Sequence, residues 1–340
     1  MDKLAWFGVE IFPSGLARQG WTVSSHNYVA TETYTWPDIV AKAGFEPDML
    51  VLMDKSRPPV FLGVESYPCL TLFLCIDSHI HSWHPFYGQA FDLVTVSLKD
   101  HLPLFQGKRL ADEQLMWLPP YARDMDQPLD RDKEWDVVFV GRVDPKVSPE
   151  RHEFLAELKD RLPGLHVTQG DYRDLFSRAK VVLNYAERGD LNYRVFEALG
   201  CGACLVTPRL GHGQEELFTD REDVFLYDMD DMDGLVGLLE EVLADEGLRR
   251  KVAASGLAKV DQAHRLSHRA RDLTHWIRSQ PASELVETRR AQAKAIHEHY
   301  LKLMYLHHAE ALKGHGNAAA YFRAAQPEWE APLGPQAPIV

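Results

Sequence analysis

The chain has 340 residues and a formal net charge of −13. That length exceeds what one hydrophobic core usually serves, so two domains are expected. The acidic balance opposes wrapping around nucleic acid, and no apolar run approaches the roughly 20 residues that a membrane helix needs.

The first half of the chain alternates apolar segments with polar turns and helices. Apolar runs predict strands at residues 4–11, 47–53, 69–76, 91–97 and 117–120. Strands separated by crossovers of this kind imply a parallel sheet. Residues 122–135 are charged, contain proline and show no apolar periodicity, which predicts a linker between two domains.

The second half repeats this alternation. Strands are predicted at residues 136–142, 165–168, 181–183 and 205–207, and helices at 149–158, 173–178, 192–199, 234–243 and 248–258. Helical sequence then runs from residue 267 to residue 312, with a break at Pro281. Residues 326–340 are rich in proline and are predicted to be irregular.

Residues 180–207 carry the most specific functional signal. An apolar strand leads into the polar loop 187–190, and a helix then begins near Asn192. The free N–H groups of such a helix start, with Arg194 in the first turn, favour a phosphate group. Glu197, one turn further along, is placed to accept hydrogen bonds from sugar hydroxyls. The alternative is that Glu197 is an ordinary charge on a helix surface.

The pattern Asn192-x-Arg194-x-Phe196-Glu197, followed by Gly202 and an apolar strand, resembles the nucleotide-sugar half of a GT-B glycosyltransferase of group 1. It is most similar to the CgeB-type (spore-maturation-protein-like) branch. The resemblance implies an α/β fold in which two Rossmann-like parallel-sheet domains face each other across a cleft, with C-terminal helices crossing back. It also implies that Glu197 binds the ribose of a nucleotide-diphosphate sugar.

The same resemblance divides the chain. It gives an acceptor domain at residues 1–127, a nucleotide-sugar domain at 128–275, helices packing back on the first domain at 276–325, and an irregular tail at 326–340. In open parallel sheets, ligands bind beyond the carboxyl ends of the strands. Residues at those ends are therefore the candidates for a site.

On the donor side, Gly141 allows close approach of the backbone to a ligand, and Arg142 can form forked hydrogen bonds to a phosphate. Lys146 lies a few residues further on. The other predicted donor-binding residues are Tyr172, Asn184, Asn192, Arg194 and Glu197. The alternative for Arg142 and Lys146 is a pair of solvated loop charges.

On the acceptor side, a cluster of titratable groups follows the most apolar strand. Sugar transfer needs a base to deprotonate the acceptor hydroxyl, and aspartate or histidine can serve. Asp77, expected to pair with His79 or His81, is the first candidate. Glu10, predicted at the end of the first strand, is a further candidate base.

Two alternatives remain open for this cluster. Asp77, His79, His81 and His84 have the spacing of a metal site, but the sequence offers no remote ligand partner, so no metal is expected. The other alternative is that these side chains cap a helix and satisfy buried polar groups. The Cys201-x-x-Cys204 pair is interpreted as two reduced core residues, because no second pair completes a four-thiolate zinc site.

We therefore expect a metal-independent bacterial glycosyltransferase, of the hexosyl-transferring class, that uses a nucleotide-diphosphate sugar as co-substrate and no cofactor. A cytoplasmic location is expected, because the N-terminal residues do not resemble a signal peptide. The sequence specifies neither the oligomeric state nor the acceptor, which is a polysaccharide, a glycolipid or a protein. The alternatives are a nucleotide-sugar epimerase of the same fold and a nucleotide-sugar-binding protein without catalysis.

The chain departs from the family pattern at one position. Retaining members of the broader group often carry a second glutamate eight positions before the one matched by Glu197, and here that position is Gly189, with Asp190 beside it. The stereochemical outcome of the reaction therefore stays open.

Overall fold

The computed structural model describes residues 2–10 and 12–326; Ile11 and nearly all of the predicted tail lie outside the described residues. The chain divides into two compact units. Unit 1 is Met1–Leu118 together with Ala270–Val340, and unit 2 is Pro119–Arg269. The boundaries predicted at residues 127 and 275 lie nine and six residues after the observed divisions at Leu118 and Arg269.

Unit 1 is built on a six-stranded parallel sheet in the order β2-β1-β3-β4-β5-β6. The strands are β1 (Lys3–Phe7), β2 (Thr22–His26), β3 (Met49–Met53), β4 (Leu70–Cys75), β5 (Leu93–Val96) and β6 (Leu115–Trp117). Every residue of β3, β4 and β5 is buried, as the continuous apolar runs predict for strands covered on both faces.

The helices between these strands are α1 (Phe12–Arg18), α2 (Trp36–Ala43) and α3 (His84–Gly88). Helix α2 was not predicted from the sequence, although its start and stop signals are present. Thr35 N donates to Asp38 Oδ2 at 2.8 Å in a capping box, and Gly44 ends the helix with a left-handed φ of 77°.

Unit 2 is built on a five-stranded parallel sheet in the order β11-β10-β9-β7-β8. The strands are β7 (Trp135–Val140), β8 (Leu165–Thr168), β9 (Ala179–Leu183), β10 (Leu205–Pro208) and β11 (Phe225–Tyr227). The helices are α4 (Pro149–Arg161), α5 (Tyr172–Ser177), α6 (Tyr193–Gly200), α7 (Gln214–Leu217), α8 (Met232–Ala244) and α9 (Glu246–Lys259), which continues into a π-helical turn, Val260–His264.

The start of the predicted linker is packed structure of unit 2. Ala122 N donates to His264 O at 3.0 Å, and Leu266 N donates to Ala122 O at 2.8 Å. Asp126 is fully buried. The charged composition was therefore misleading at the start of this segment, because Ala122 and Asp126 are hydrogen-bonded within the unit rather than to water.

The predicted break at Pro281 is present in the C-terminal helices. They are α10 (Leu266–Arg278), α11 (Ala282–Ala291), α12 (Ala293–Ile296), a π-helical turn (His297–Leu301), α13 (Lys302–Ala311) and α14 (Ala318–Ala324). The later ones contact the N-terminal part of unit 1. Tyr321 donates its hydroxyl to Pro59 O at 2.6 Å, for example.

A buried arginine fastens α11 to the sheet of unit 1. The Arg289 guanidinium and the Asp92 carboxylate are both fully buried and form an ion pair. Arg289 also donates to Thr71 Oγ1 and to the carbonyl oxygens of Tyr67 and Cys69. The charge is thus matched by one carboxylate and several oxygen acceptors, as burial of an ion requires.

Replacing Arg289 by methionine is expected to destabilise the protein by about 3–5 kcal/mol, because it leaves Asp92 buried without its cation. Urea unfolding followed by tryptophan fluorescence measures the loss. Arg290→Met, at the exposed neighbouring position, is the control and is expected to leave the midpoint nearly unchanged. Similar midpoints for the two variants would contradict the anchoring role.

Candidate functional site

The loop after β7 carries three of the predicted donor-binding residues. Gly141 N donates to Thr168 O at 2.9 Å, and a Cβ atom at this glycine would lie 3.1 Å from the Phe139 ring. The exposed Arg142 donates through Nη2 to Asp144 Oδ2 at 2.8 Å, and Lys146 N donates to Asp144 Oδ1 at 3.0 Å. Asp144 thus holds this loop together and is already hydrogen-bonded to Arg142.

Asn184 and Asn192 form part of the connection between β9 and α6. The buried Asn184 donates through Nδ2 to Thr207 Oγ1 at 3.0 Å and to Asn192 Oδ1 at 3.2 Å, and its carbonyl oxygen accepts from the Tyr227 hydroxyl at 2.9 Å. Asn192 is the residue that precedes the first turn of α6. These asparagines therefore hold the start of the helix against the ends of β9, β10 and β11.

Arg194 and Glu197 lie together on α6. Arg194 Nη1 donates to Val140 O at the end of β7, Arg194 Nε lies 3.4 Å from Glu197 Oε2, and the guanidinium lies 5.3 Å from the centre of the Phe176 ring. Burial lowers the pKa of Arg194 and raises the pKa of Glu197, and the ion pair partly offsets both shifts. Glu197 is thus a mostly buried carboxylate, not the exposed surface charge of the alternative interpretation.

Tyr172 contacts Phe176, over which the Arg194 guanidinium lies, and it also binds a residue that was not predicted from the sequence. Its hydroxyl donates to Asp126 Oδ1 at 2.7 Å, and its ring centre lies 5.5 Å from that of Phe176. Asp126 Oδ2 in turn accepts from Arg123 N at 2.8 Å. The only sequence signal for Asp126 was a carboxylate in a charged segment, which favours solvent exposure.

The loop between β9 and α6 accounts for the glycine at position 189. Gly189 has a left-handed φ of 71°, which disfavours a side chain. Its N–H donates to Ala186 O at 3.2 Å and closes the turn. Glu187, two positions earlier, is paired with Arg151 of α4 at 2.8 Å. The turn thus favours glycine at position 189.

In unit 1, the predicted base Asp77 is held at the carboxyl end of β4. Asp77 N donates to the buried Asp54 at 2.9 Å, and the Asp77 carboxylate accepts a hydrogen bond from Ser56 Oγ. Ser56, at the end of β3, has a positive φ of 51° and donates its N–H to Asp54 Oδ1 at 2.8 Å. Asp54 therefore fixes the loops that follow two neighbouring strands.

The expected pairing of Asp77 with His79 or His81 is not found among the described residues. The carboxylate–imidazole pair at this strand end is instead Asp54 with His84, 3.6 Å apart. Both groups are buried, and burial lowers the pKa of His84 to about 3 and raises the pKa of Asp54. The ring of His81 lies 5.0 Å from that of His84. Glu10 is exposed in the turn after β1.

The metal alternative keeps only His84 of its four predicted ligands. Asp54, Cys75 and His84 have possible ligand atoms within 4.8 Å of one another. Cys75 Sγ approaches His84 Nδ1 at 3.3 Å, whereas Asp54 approaches Nε2. The imidazole thus lies between the other two groups, an arrangement that suits a buried polar chain better than three ligands around one ion.

The four cysteines are free and buried. Burial raises the pKa of Cys201 and of Cys204 to about 12, so both thiols stay protonated at neutral pH and are poor nucleophiles. Their packing fits the interpretation of reduced core residues.

Residues 123–275 match the family model described as "Glycosyl transferase-like". The match includes all the predicted donor-binding residues and covers less than half of the chain. None of the curated protein sequences is similar enough to the chain to count as a match. No helix in the described part of the chain is both long and apolar enough to cross a membrane.

Several solved structures are similar to the chain. A sucrose-phosphate synthase from Thermosynechococcus elongatus has a TM-score of 0.58 and 14% identity, over 82% of this chain and 99% of that chain. The Anabaena protein HepE, crystallised with UDP and glucose, has a TM-score of 0.58 and 12% identity, over 82% and 100%. WaaG, a glycosyltransferase involved in lipopolysaccharide biosynthesis, has a TM-score of 0.53 and 13% identity, over 79% and 98%. This likeness shows the GT-B fold.

The buried His308, next to Trp83, is expected to make the protein less stable in acid. His308 of α13 lies 5.1 Å from the Trp83 ring and 5.7 Å from Tyr321, and burial, with His307, His81 and His84 nearby, lowers its pKa from 6.5 to about 4. His308 therefore binds a proton more tightly in the unfolded chain than in the folded protein. The stability due to neutral His308 is present above pH 6.5 and is lost as the pH falls towards about 4.

His308→Gln is expected to flatten the decline of the unfolding free energy between pH 6.5 and about 4, by at most about 1.4 kcal/mol per pH unit. Urea unfolding across this range measures the slope. The control is His299→Gln, at an exposed position of the same C-terminal region, and it should keep the wild-type slope. The raised pKa of Asp54 contributes a slope of opposite sign, which is common to all variants. Identical slopes in the two variants would disprove the assignment to His308.

Proposed function

We propose that the protein is a CgeB-type glycosyltransferase that transfers a hexosyl group from a nucleotide-diphosphate sugar to an acceptor hydroxyl. The observation that carries the proposal is the buried Arg194–Glu197 pair on α6, next to the ends of β7 and β9 and inside the segment that matches the family model. A buried carboxylate beside backbone N–H groups and guanidinium groups suits a ligand that combines hydroxyl groups with phosphates.

Glu197 accepts hydrogen bonds from the ribose hydroxyls of the donor in this proposal. Arg142 and Lys146 contact the diphosphate, and Asp144 must release Arg142 when the donor binds. These cations stabilise the departing diphosphate, so the proposed reaction needs no metal. Uridine nucleotides are the first donors to test, because the similar HepE structures contain UDP, UDP with glucose, or UDP-glucose.

Asp77 acts as the base in the proposed transfer. It accepts the proton of the acceptor hydroxyl, while the bond from that oxygen to the anomeric carbon forms and the bond from the anomeric carbon to the diphosphate breaks. The Ser56 hydrogen bond to Asp77 orients the carboxylate. His79, His81 and Glu10 remain the further candidate bases. A cytoplasmic bacterial enzyme acting on a surface polysaccharide, a glycolipid or a protein is consistent with this chemistry.

Glu197→Ala is expected to weaken binding of a nucleoside diphosphate by about 1–3 kcal/mol, because it removes charged hydrogen bonds to the ribose. Isothermal titration calorimetry with UDP and GDP measures the change. Glu157→Ala, at an exposed position on α4, is the matched control and should bind like the wild type. Unchanged affinity in the Glu197 variant would remove this residue from the donor site.

Asp77→Asn is expected to lower turnover by about a hundredfold or more while donor affinity changes little, because the amide cannot accept the acceptor proton. His79→Ala tests the next candidate in the same way. Turnover is measured as the release of nucleoside diphosphate in the presence of an acceptor mixture. A variant that turns over at the wild-type rate excludes its residue as the base.

Product analysis separates the proposal from the two alternatives. A transferase forms a new glycoside, and its release of nucleoside diphosphate depends on the acceptor. An epimerase of this fold releases free nucleoside diphosphate without any acceptor, and a binding protein binds nucleotide without turnover of any donor.

A further inference from the structure

Both backbone groups of Arg123 form hydrogen bonds within unit 2. Arg123 N donates to Asp126 Oδ2 at 2.8 Å, and Arg123 O accepts from Arg265 Nη1 at 3.0 Å. The preceding residue, Ala122, pairs with Arg265 in a parallel bridge. The segment also belongs to the part of the chain that matches the family model. The position of this residue is therefore set by the fold and not by its own side chain.

The Arg123 guanidinium has no hydrogen bond or ion pair among the described residues, although the side chain is half-buried. Neighbouring arginines of unit 2 are paired. Arg173 binds Asp171 at 3.1 Å, Arg265 binds Asp261 at 2.6 Å, and Arg194 binds Glu197. None of the Arg123 guanidinium nitrogens is fully buried, so a ligand can reach them. Arg123 thus has unused capacity for an anion.

Arg123 lies beside the candidate donor-binding residues. One carboxylate, that of Asp126, accepts both Arg123 N and the Tyr172 hydroxyl, so these two residues are separated by a single side chain. Tyr172 contacts Phe176, over which the Arg194 guanidinium lies. The charge of Arg123 also acts on Glu197 and favours its ionised form.

We propose that Arg123 is a further donor-binding residue, whose guanidinium contacts a phosphate group of the nucleotide. The inference rests on the proposed function and adds a specific residue to it. An anionic ligand beside Glu197 and Asp126 would be repelled by two carboxylates, and Arg194 is already occupied by Glu197 and by Val140 O. Arg123 supplies a further cation that is not paired with a carboxylate, and a guanidinium can form forked hydrogen bonds with phosphate oxygens.

Calorimetry with the full-length protein tests this proposal. Wild type, Arg123→Gln, Arg123→Lys and the control Arg131→Gln are titrated with UDP, GDP, UMP and uridine. Arg131 lies in the same segment but is exposed and paired with Asp174 at 2.8 Å. Arg123→Gln is expected to lose about tenfold or more in UDP or GDP affinity, with a smaller loss in Arg123→Lys and none in the control.

The outcomes distinguish the inference from the function on which it rests. If the wild type binds a nucleoside diphosphate and Arg123→Gln binds it equally well, the role of Arg123 is overturned and the proposed function stands. An equal loss for uridine and for UDP overturns the phosphate contact, because uridine carries no phosphate. If the wild type binds none of the nucleotides, the proposed function fails and the inference falls with it. A melting temperature of Arg123→Gln close to that of the wild type shows that lost affinity is not lost folding.

Discussion

A buried aspartate that accepts hydrogen bonds from neighbouring loops organises the candidate residues in each unit. In unit 1, Asp54 accepts Ser56 N at 2.8 Å and Asp77 N at 2.9 Å. In unit 2, Asp126 accepts Arg123 N and the Tyr172 hydroxyl. Removing a carboxylate from water is costly unless donors replace the water, so the loops that supply these donors are restrained. The loops in turn determine where the chemically useful side chains lie.

Loops that are held by buried aspartates, while neighbouring side chains stay available to a ligand, suit catalysis. A group that binds charge in a transition state works best when its position is fixed before the reaction, since no reorganisation is then needed. The main chains of Asp77 and Arg123, the residues that we propose as a base and as a phosphate ligand, are held by the carboxylates of Asp54 and Asp126. Arg289 illustrates the opposite case: its guanidinium is fully committed to Asp92 and carbonyl oxygens, and it contributes to the scaffold alone.

The sequence predicted the sheets better than the site. The continuous apolar runs that became β3, β4 and β9 are recognisable because parallel strands are buried on both faces. The helix α2 was missed because its signals lie in caps and not in periodicity. The Asp54–His84 pair could not be predicted from the sequence, since it joins residues thirty positions apart through the alignment of β3 with β4. Asp126 and Arg123 were assigned to a linker, because local composition does not show which charges become buried.

The raised pKa of Glu197 bears on the ribose-binding role that we propose for this residue. Burial raises the pKa of this carboxyl, so the stability that Glu197 contributes is present below its usual pKa and is lost as the pH rises through the raised value. Ionising this carboxyl inside the folded protein therefore costs stability. Hydroxyl groups that donate to it would compensate for this cost, and a cation nearby, such as Arg123, reduces it further. The burial of Glu197 thus agrees with the role proposed for it, which is to accept hydrogen bonds from ribose hydroxyls.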